Sequence, residues 1–94
     1  MVETVFYDAP VMLAIARCES GYIHYQDDGM VIRGRVHPPD VGVMQINQKA
    51  HGERLDALGL DAEDIHDNLT FARLLYDEQG QGPWVCKKQI ALAQ

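Results

Sequence analysis

Asp8-Ala9-Pro10-Val11-Met12-Leu13-Ala14-Ile15-Ala16-Arg17-Cys18-Glu19-Ser20-Gly21 contains the most apolar segment of the chain, and its reading decides the fold. The residues from Ala9 onward are good helix formers, and Asp8 stands where an N-cap would. Gly21 is a natural stop. The segment predicts a helix over 9–20. Its apolar residues fall on almost every side, the pattern of a helix at the centre of a domain with the other elements around it. Glu19 then lies on the last turn of that helix. The C-terminal end of a helix carries partial negative charge, and apolar neighbours withdraw water; both disfavour ionisation and raise a carboxyl pKa. A carboxylic acid that keeps its proton near neutral pH can serve as a general acid. The alternative is a glutamate reaching into solvent from a frayed helix end.

The rest of the composition narrows the class. With 94 residues the chain is one domain, residues 1–94, with a small core. A net charge of −6 argues against a nucleic-acid partner, because the paired cations Arg33/Arg35 and Lys87/Lys88 are too few for a basic face. No apolar run approaches the roughly 20 residues needed to span a bilayer, and no signal peptide is visible behind Met1. Cys18 and Cys86 allow a single intramolecular bridge. It would close a loop of about 68 residues and contribute about 4 kcal/mol by chain entropy. Two buried free thiols are the other possibility.

Beyond Gly21 the chain is rich in aromatic and β-branched residues. Asp27-Asp28-Gly29 between Tyr22–Gln26 and Met30–Val36 predicts a two-stranded hairpin over 22–36, which must lie against helices. His37-Pro38-Pro39-Asp40 reads as a loop. Val41-Gly42-Val43-Met44-Gln45-Ile46-Asn47 is too short for a helix and too apolar to be exposed, so the Gln45 amide needs partners, in a core strand or along a cleft. Asn47 can cap a helix over 48–58, with Gly59 at C′ and Leu60 as the apolar residue beyond. Asp61–Asp64 suggests a single capped turn. Asp67 can cap a last long helix over 68–79 with Leu69, Ala72, Leu75 and Tyr76 as its buried stripe, ended by Gly80. A turn at 80–83, Trp84 and Cys86 returning to the core, and a short helix over 87–94 complete the expectation. Val2–Tyr7 fits either a turn or a half-helix.

Among chemistry-bearing residues, Cys18, Cys86, His24, His37, His51 and His66 lack the local spacing of a metal site, so no metal is expected and the histidines read as loop and surface residues. No phosphate loop or nucleophilic-serine motif is present, and no cofactor is expected. The carboxylates remain. A conventional glycosidase partners its acid with a second carboxylate. Asp27, Asp28 and Asp40 are the candidates by position, each also explicable as a turn or cap residue.

Ile15-Ala16-Arg17-Cys18-Glu19-Ser20-Gly21, then Gly42-Val43-Met44-Gln45-Ile46-Asn47, then Asp67-Asn68-Leu69, resembles the lysozyme-like superfamily. The nearest branch is the bacterial soluble lytic transglycosylases, whose E-S-G, G-L-M-Q-I and N-I elements come in this order. The resemblance runs from about Ala9 to Tyr76. It implies a mainly helical α+β domain of lysozyme-like fold, with a central helix ending at the catalytic glutamate, a small hairpin and surrounding helices. It implies an enzyme cutting the β-1,4 bond between N-acetylmuramic acid and N-acetylglucosamine in peptidoglycan. In this family one carboxyl suffices: it protonates the glycosidic oxygen, and the muramic acid's own 6-hydroxyl attacks the anomeric carbon to give a 1,6-anhydro end.

Carried onto this chain, Glu19 matches the catalytic acid/base and Gln45 the glutamine of the sugar cleft. Ser20 follows the acid, where its hydroxyl could orient it. Asn47 ends the second element as a further substrate contact, and Asn68 matches the asparagine at the start of the helix beneath the site. There are departures. The chain is shorter than a usual domain of this type, and its acidity is unlike the basic lysozymes that cling to anionic cell walls. Asp40, two before Gly42, stands where the family usually has alanine or another small residue, which keeps a hydrolytic route open with Asp40 as second carboxylate. Ala72 and Leu75 occupy the places of the family's glycine and tyrosine, with Tyr76 one position late as the candidate substrate contact. A glycan-binding module without turnover is the rival from another class. The expected setting is extracellular or in the cell envelope, with glycan strands as partner and the chain a monomer.

Overall fold

The computed structural model describes residues 1–34, 38–84 and 86. Its elements are α1 (Val2–Val5), α2 (Pro10–Ser20), β1 (Asp40–Val41), β2 (Ile46–Asn47), α3 (Gln48–Leu58) and α4 (Ile65–Gln79). β1 and β2 form a two-stranded antiparallel sheet, with Asp40 opposite Asn47 and Val41 opposite Ile46. The fold is thus α+β with helices dominant. No helix among the described residues is long and apolar enough to cross a membrane.

α2 forms where expected, but not as a helix buried on all sides. Met12, Ile15 and Ala16 are buried, whereas Pro10, Ala14, Arg17 and Cys18 are exposed. Ala and Pro are tolerated on either face, so the run of apolar letters overstated the buried stripe. Asp8 does not cap α2; Ala9 stands at that position with no side-chain bond. Asp8 instead accepts from Arg73 of α4 at 2.6 Å, and Arg73 also bonds the Val5 carbonyl at 3.2 Å. One guanidinium so ties α1 and the start of α2 to α4.

α3 matches the expected bounds. Asn47 Oδ1 accepts from the Ala50 N–H at 2.9 Å, and past Gly59 (φ 70°) the Leu60 N–H returns to the Leu55 carbonyl at 2.9 Å, a Schellman-type close. α4 begins three residues before the expected start. Asp64, not Asp67, is its cap, accepting from the Asp67 N–H at 3.0 Å, while Asp67 accepts from the Asp61 N–H at 3.0 Å. Its buried face is wider than the expected stripe, because Asn68 and Phe71 join Leu69, Ala72 and Leu75. Gly80 ends it, and Trp84 and Cys86 return to the core as expected.

The expected hairpin is present as an irregular one, its arms bonded to each other without a regular ladder. Tyr25 and Val31 form one isolated antiparallel bridge around the turn, with Gly29 N–H on the Gln26 carbonyl at 2.9 Å. Tyr22, Ile23, Tyr25 and Met30 are all exposed. With so little buried on either face, a regular ladder has nothing to hold it. The second arm bonds both the first arm, with Gln26 N–H on the Met30 carbonyl at 2.7 Å and Ile32 N–H on the His24 carbonyl at 2.9 Å, and β1, with Gly42 N–H on the Ile32 carbonyl and Gly34 N–H on the Asp40 carbonyl, both at 2.9 Å. The end of the expected hairpin, His37, and the expected helix over 87–94 lie outside the described residues.

The core gathers Phe6, Met12, Ile15, Val43, Met44, Ile46, Leu69, Phe71, Leu75 and Trp84. The segment between β1 and β2 therefore runs through the interior, with α2 on one side and α4 on the other.

Candidate active site

A loop through a core is costly unless every backbone group finds a partner. Residues 42–45 meet this demand with side chains from four places in the chain. The Asn68 amide, fully buried on the first turn of α4, donates to the Val41 carbonyl (2.9 Å) and the Ala62 carbonyl (2.8 Å) and accepts from the Met44 N–H (3.1 Å). His24 Nδ1 accepts from the Val43 N–H at 3.0 Å. Ser20 Oγ donates to the Val43 carbonyl at 2.7 Å, and Trp84 Nε1 donates to the Met44 carbonyl at 2.8 Å. Among the described residues no buried side-chain polar atom lacks a partner.

His24 corrects the reading of the histidines as loop and surface residues, for it is buried. Its Nε2 lies 2.7 Å from the Glu63 carbonyl, which can only accept. The proton therefore sits on Nε2 and leaves Nδ1 free to accept from Val43, which fixes a neutral tautomer. The loop admits no side chain at Gly42. Its φ is +79°, and a Cβ there would lie 2.4 Å from Asn68 Nδ2 and 2.6 Å from His24 Cε1. The turn closes through Gln45, whose N–H and Nε2 both donate to the Gly42 carbonyl, at 3.0 and 2.9 Å, with φ at +50°.

This rigid loop is one wall of a cleft of about 200 Å³ lined by Glu19, Asp40, Gln45, Ile46, Asn47, His51, Leu75, Pro83 and Trp84. Glu19 enters it from the last turn of α2, just before the chain turns away through Gly21 (φ 65°). It is half-buried. Burial, and secondly the negative charge of Asp40, push its carboxyl from the ordinary 4.5 up to about 7. The second push thus comes from a carboxylate that lines the same cleft. A group at about 7 is both acid and base at neutral pH, which suits it to give a proton and take one back.

Cys18 and Cys86 are bridged, with Cα atoms 6.0 Å apart. The Cys86 sulfur lies 3.4 Å from Glu19 Oε1. A disulfide sulfur has no hydrogen to give, so this is a contact that excludes water rather than a hydrogen bond.

Of the residues singled out in the sequence, Glu19, Asp40, Gln45 and Asn47 meet in this cleft. Asn47 Oδ1 also caps α3. Ser20 and Asn68 stand behind the wall, holding its backbone; the Ser20 hydroxyl bonds the Val43 and Ala16 carbonyls. Tyr76 is not among the lining residues. It packs edge-on against Phe6 at 6.0 Å between ring centroids, with the Arg73 guanidinium 5.7 Å from its ring centre. Asp27 and Asp28 stay at the turn, exposed, where Asp28 Oδ1 accepts from the Met30 N–H at 2.9 Å.

Two of the lining residues without a functional reading in the sequence carry polar ring nitrogens, Trp84 and His51. Trp84 was expected only in the core. His51, half-buried, contacts Phe71 edge-on at 5.3 Å, and burial followed by the Arg54 charge lowers its pKa, favouring the neutral ring. His51 lies on the first turn of α3, close in sequence to the cap Asn47. Among the described residues, no three His, Cys, Asp or Glu side chains gather as metal ligands would. Compared with protein-family models, curated proteins and solved structures, the chain matches none.

Proposed function

We propose that the protein is a peptidoglycan-cleaving glycosidase of lysozyme-like fold, a lytic transglycosylase in which Glu19 is the general acid/base. The observation that carries this reading is a carboxyl near 7 in an open cleft beside Gln45 and Asn47. Protonated Glu19 gives its proton to the glycosidic oxygen between N-acetylmuramic acid and N-acetylglucosamine. The muramic acid's 6-hydroxyl attacks the anomeric carbon as that bond breaks, and the Glu19 carboxylate takes the hydroxyl proton. The amide side chains of Gln45 and Asn47 supply donors and acceptors for sugar hydroxyls and acetamido groups. The cleft is smaller than the roughly 300–1,000 Å³ of a drug-sized site, which suits a groove gripping one ring of a longer strand. Ser20 and Asn68 act through the loop they hold rather than on the glycan. The disulfide fits a protein working outside the cytoplasm, where glycan strands are.

Hydrolysis is the second reading, favoured by one observation: Asp40 faces the same cleft closely enough to raise Glu19. There it would activate water as the second carboxylate. Digestion of purified peptidoglycan, wild type beside Glu19→Gln, tests both readings. Mass spectrometry of the fragments is expected to show 1,6-anhydro ends from wild type and a loss of about 10²-fold or more in rate for the variant. Reducing ends would select hydrolysis. Equal digestion by the two proteins would remove Glu19 from the mechanism, and binding without cleavage by either would make this a glycan-binding module.

A further inference from the structure

Glu19 has one neighbour that the proposed chemistry does not use. The Cys86 sulfur, 3.4 Å from Oε1, is joined to Cys18, the residue immediately before Glu19. The bridge so clasps the acid from two directions, along α2 and across its carboxyl. The chain that Cys86 anchors also carries Pro83 and Trp84, two walls of the cleft. A closed disulfide offers Oε1 no proton and little hydration. A thiol in the same place donates a hydrogen bond, which stabilises the charged carboxylate.

We propose that the Cys18–Cys86 disulfide is a positioning contact for Glu19, keeping water and proton donors from Oε1 while closed and admitting them when a dithiol reductant opens it. The inference rests on the assignment of Glu19 as the acid. Cys18 is exposed and Cys86 buried, so the reductant's thiolate attacks the Cys18 sulfur and expels the Cys86 sulfur as a thiolate. The reductant's second thiolate then displaces Cys18 and closes a disulfide within the reductant. Two electrons pass to the protein, and its two thiolates take up the two protons that the dithiol loses. Among the described residues the other titratable groups lining the cleft with Glu19 are Asp40 from β1 and His51 from α3, while α4 contributes Leu75 and the chain after it Pro83 and Trp84. Reduction alters none of those charges, so a change at Glu19 reports the sulfur.

The test is carbon-13 NMR of the Glu19 carboxyl against pH in the oxidised protein, the dithiol-reduced protein, and two double variants, Cys18→Ala with Cys86→Ser and Cys18→Ala with Cys86→Leu. Amide dispersion verifies that each is folded. Reduction is expected to lower the midpoint by about one unit or more, cutting the protonated form at pH 7 about fivefold. The serine variant, whose hydroxyl can donate, should follow the reduced protein, and the leucine variant should titrate above it. An unchanged midpoint in folded, reduced protein would overturn the inference. So would unfolding of the reduced protein and both variants, because the bridge would then be a staple only. An ordinary carboxyl midpoint in the oxidised protein would instead reject Glu19 as the acid, a different failure.

Discussion

Raising a carboxyl to about 7 has a cost that depends on pH. In the unfolded chain Glu19 titrates near its ordinary 4.5, so between that value and about 7 the native state binds more protons than the unfolded one. Stability therefore falls as pH rises through this window, and the full cost stands above it. A shift of this size corresponds to about 3 kcal/mol, and the carboxyl's partial contact with solvent reduces that to about 1–2. Glu19→Gln is accordingly expected to stabilise the protein by about 1–2 kcal/mol at pH 8 and to change little at pH 4, read from urea denaturation at both values. Asp40 supplies the second part of the push. Asp40→Asn should move the upper limb of the pH–rate profile to lower pH while burial keeps it above the ordinary carboxyl value. Transglycosylation survives that substitution with its limb displaced, whereas hydrolysis loses about 10²–10⁴-fold in rate. One profile of kcat/KM against pH separates the two.

Among the elements, the loop at 42–45 carries the site. Gly42→Ala forces a left-handed φ and overlaps Asn68 and His24, and should cost about 2–4 kcal/mol. Asn68→Ala breaks three buried hydrogen bonds and should cost about 3 kcal/mol or more, because the Val41, Met44 and Ala62 backbone groups lose their partner. Urea midpoints check both. What was legible in the sequence follows the range of the forces involved. The ends of α3 are set by Asn47, Gly59 and Leu60 within a few residues, and could be read. The start of α4 was ambiguous because Asp61, Asp64 and Asp67 stand at three-residue spacing and each is a cap by residue type, whereas only Asp64 caps the helix while Asp61 closes a turn on the Glu63 N–H and Asp67 accepts from the Asp61 N–H. The hairpin is irregular rather than a full ladder because Asp-Gly specifies a turn and says nothing of whether its arms have a surface to lie on. His24 was unreadable for the same reason: its partners, Val43 and Glu63, are 19 and 39 residues away.

At the scale of the whole molecule, 94 residues leave a small core, with stability of order 5–14 kcal/mol. The disulfide closes a 68-residue separation and contributes about 4 kcal/mol of that in the chain-entropy model. Reduction should therefore lower the urea midpoint substantially and still leave a folded protein. The bridge also joins the end of α2 to the chain after α4, so the same link that stabilises the fold brings Trp84 and Pro83 beside Glu19. Glu19, Asp40, Gln45 and Asn47, singled out in the sequence, line one cleft, and the place of Trp84 in it goes with the chain that this bridge anchors. The proposed activity needs a carboxyl that holds its proton to neutral pH. Titration of the Glu19 carboxyl by carbon-13 NMR in the oxidised wild-type protein measures this directly: a midpoint near 7 is expected, and one near the ordinary 4.5 would rule the activity out.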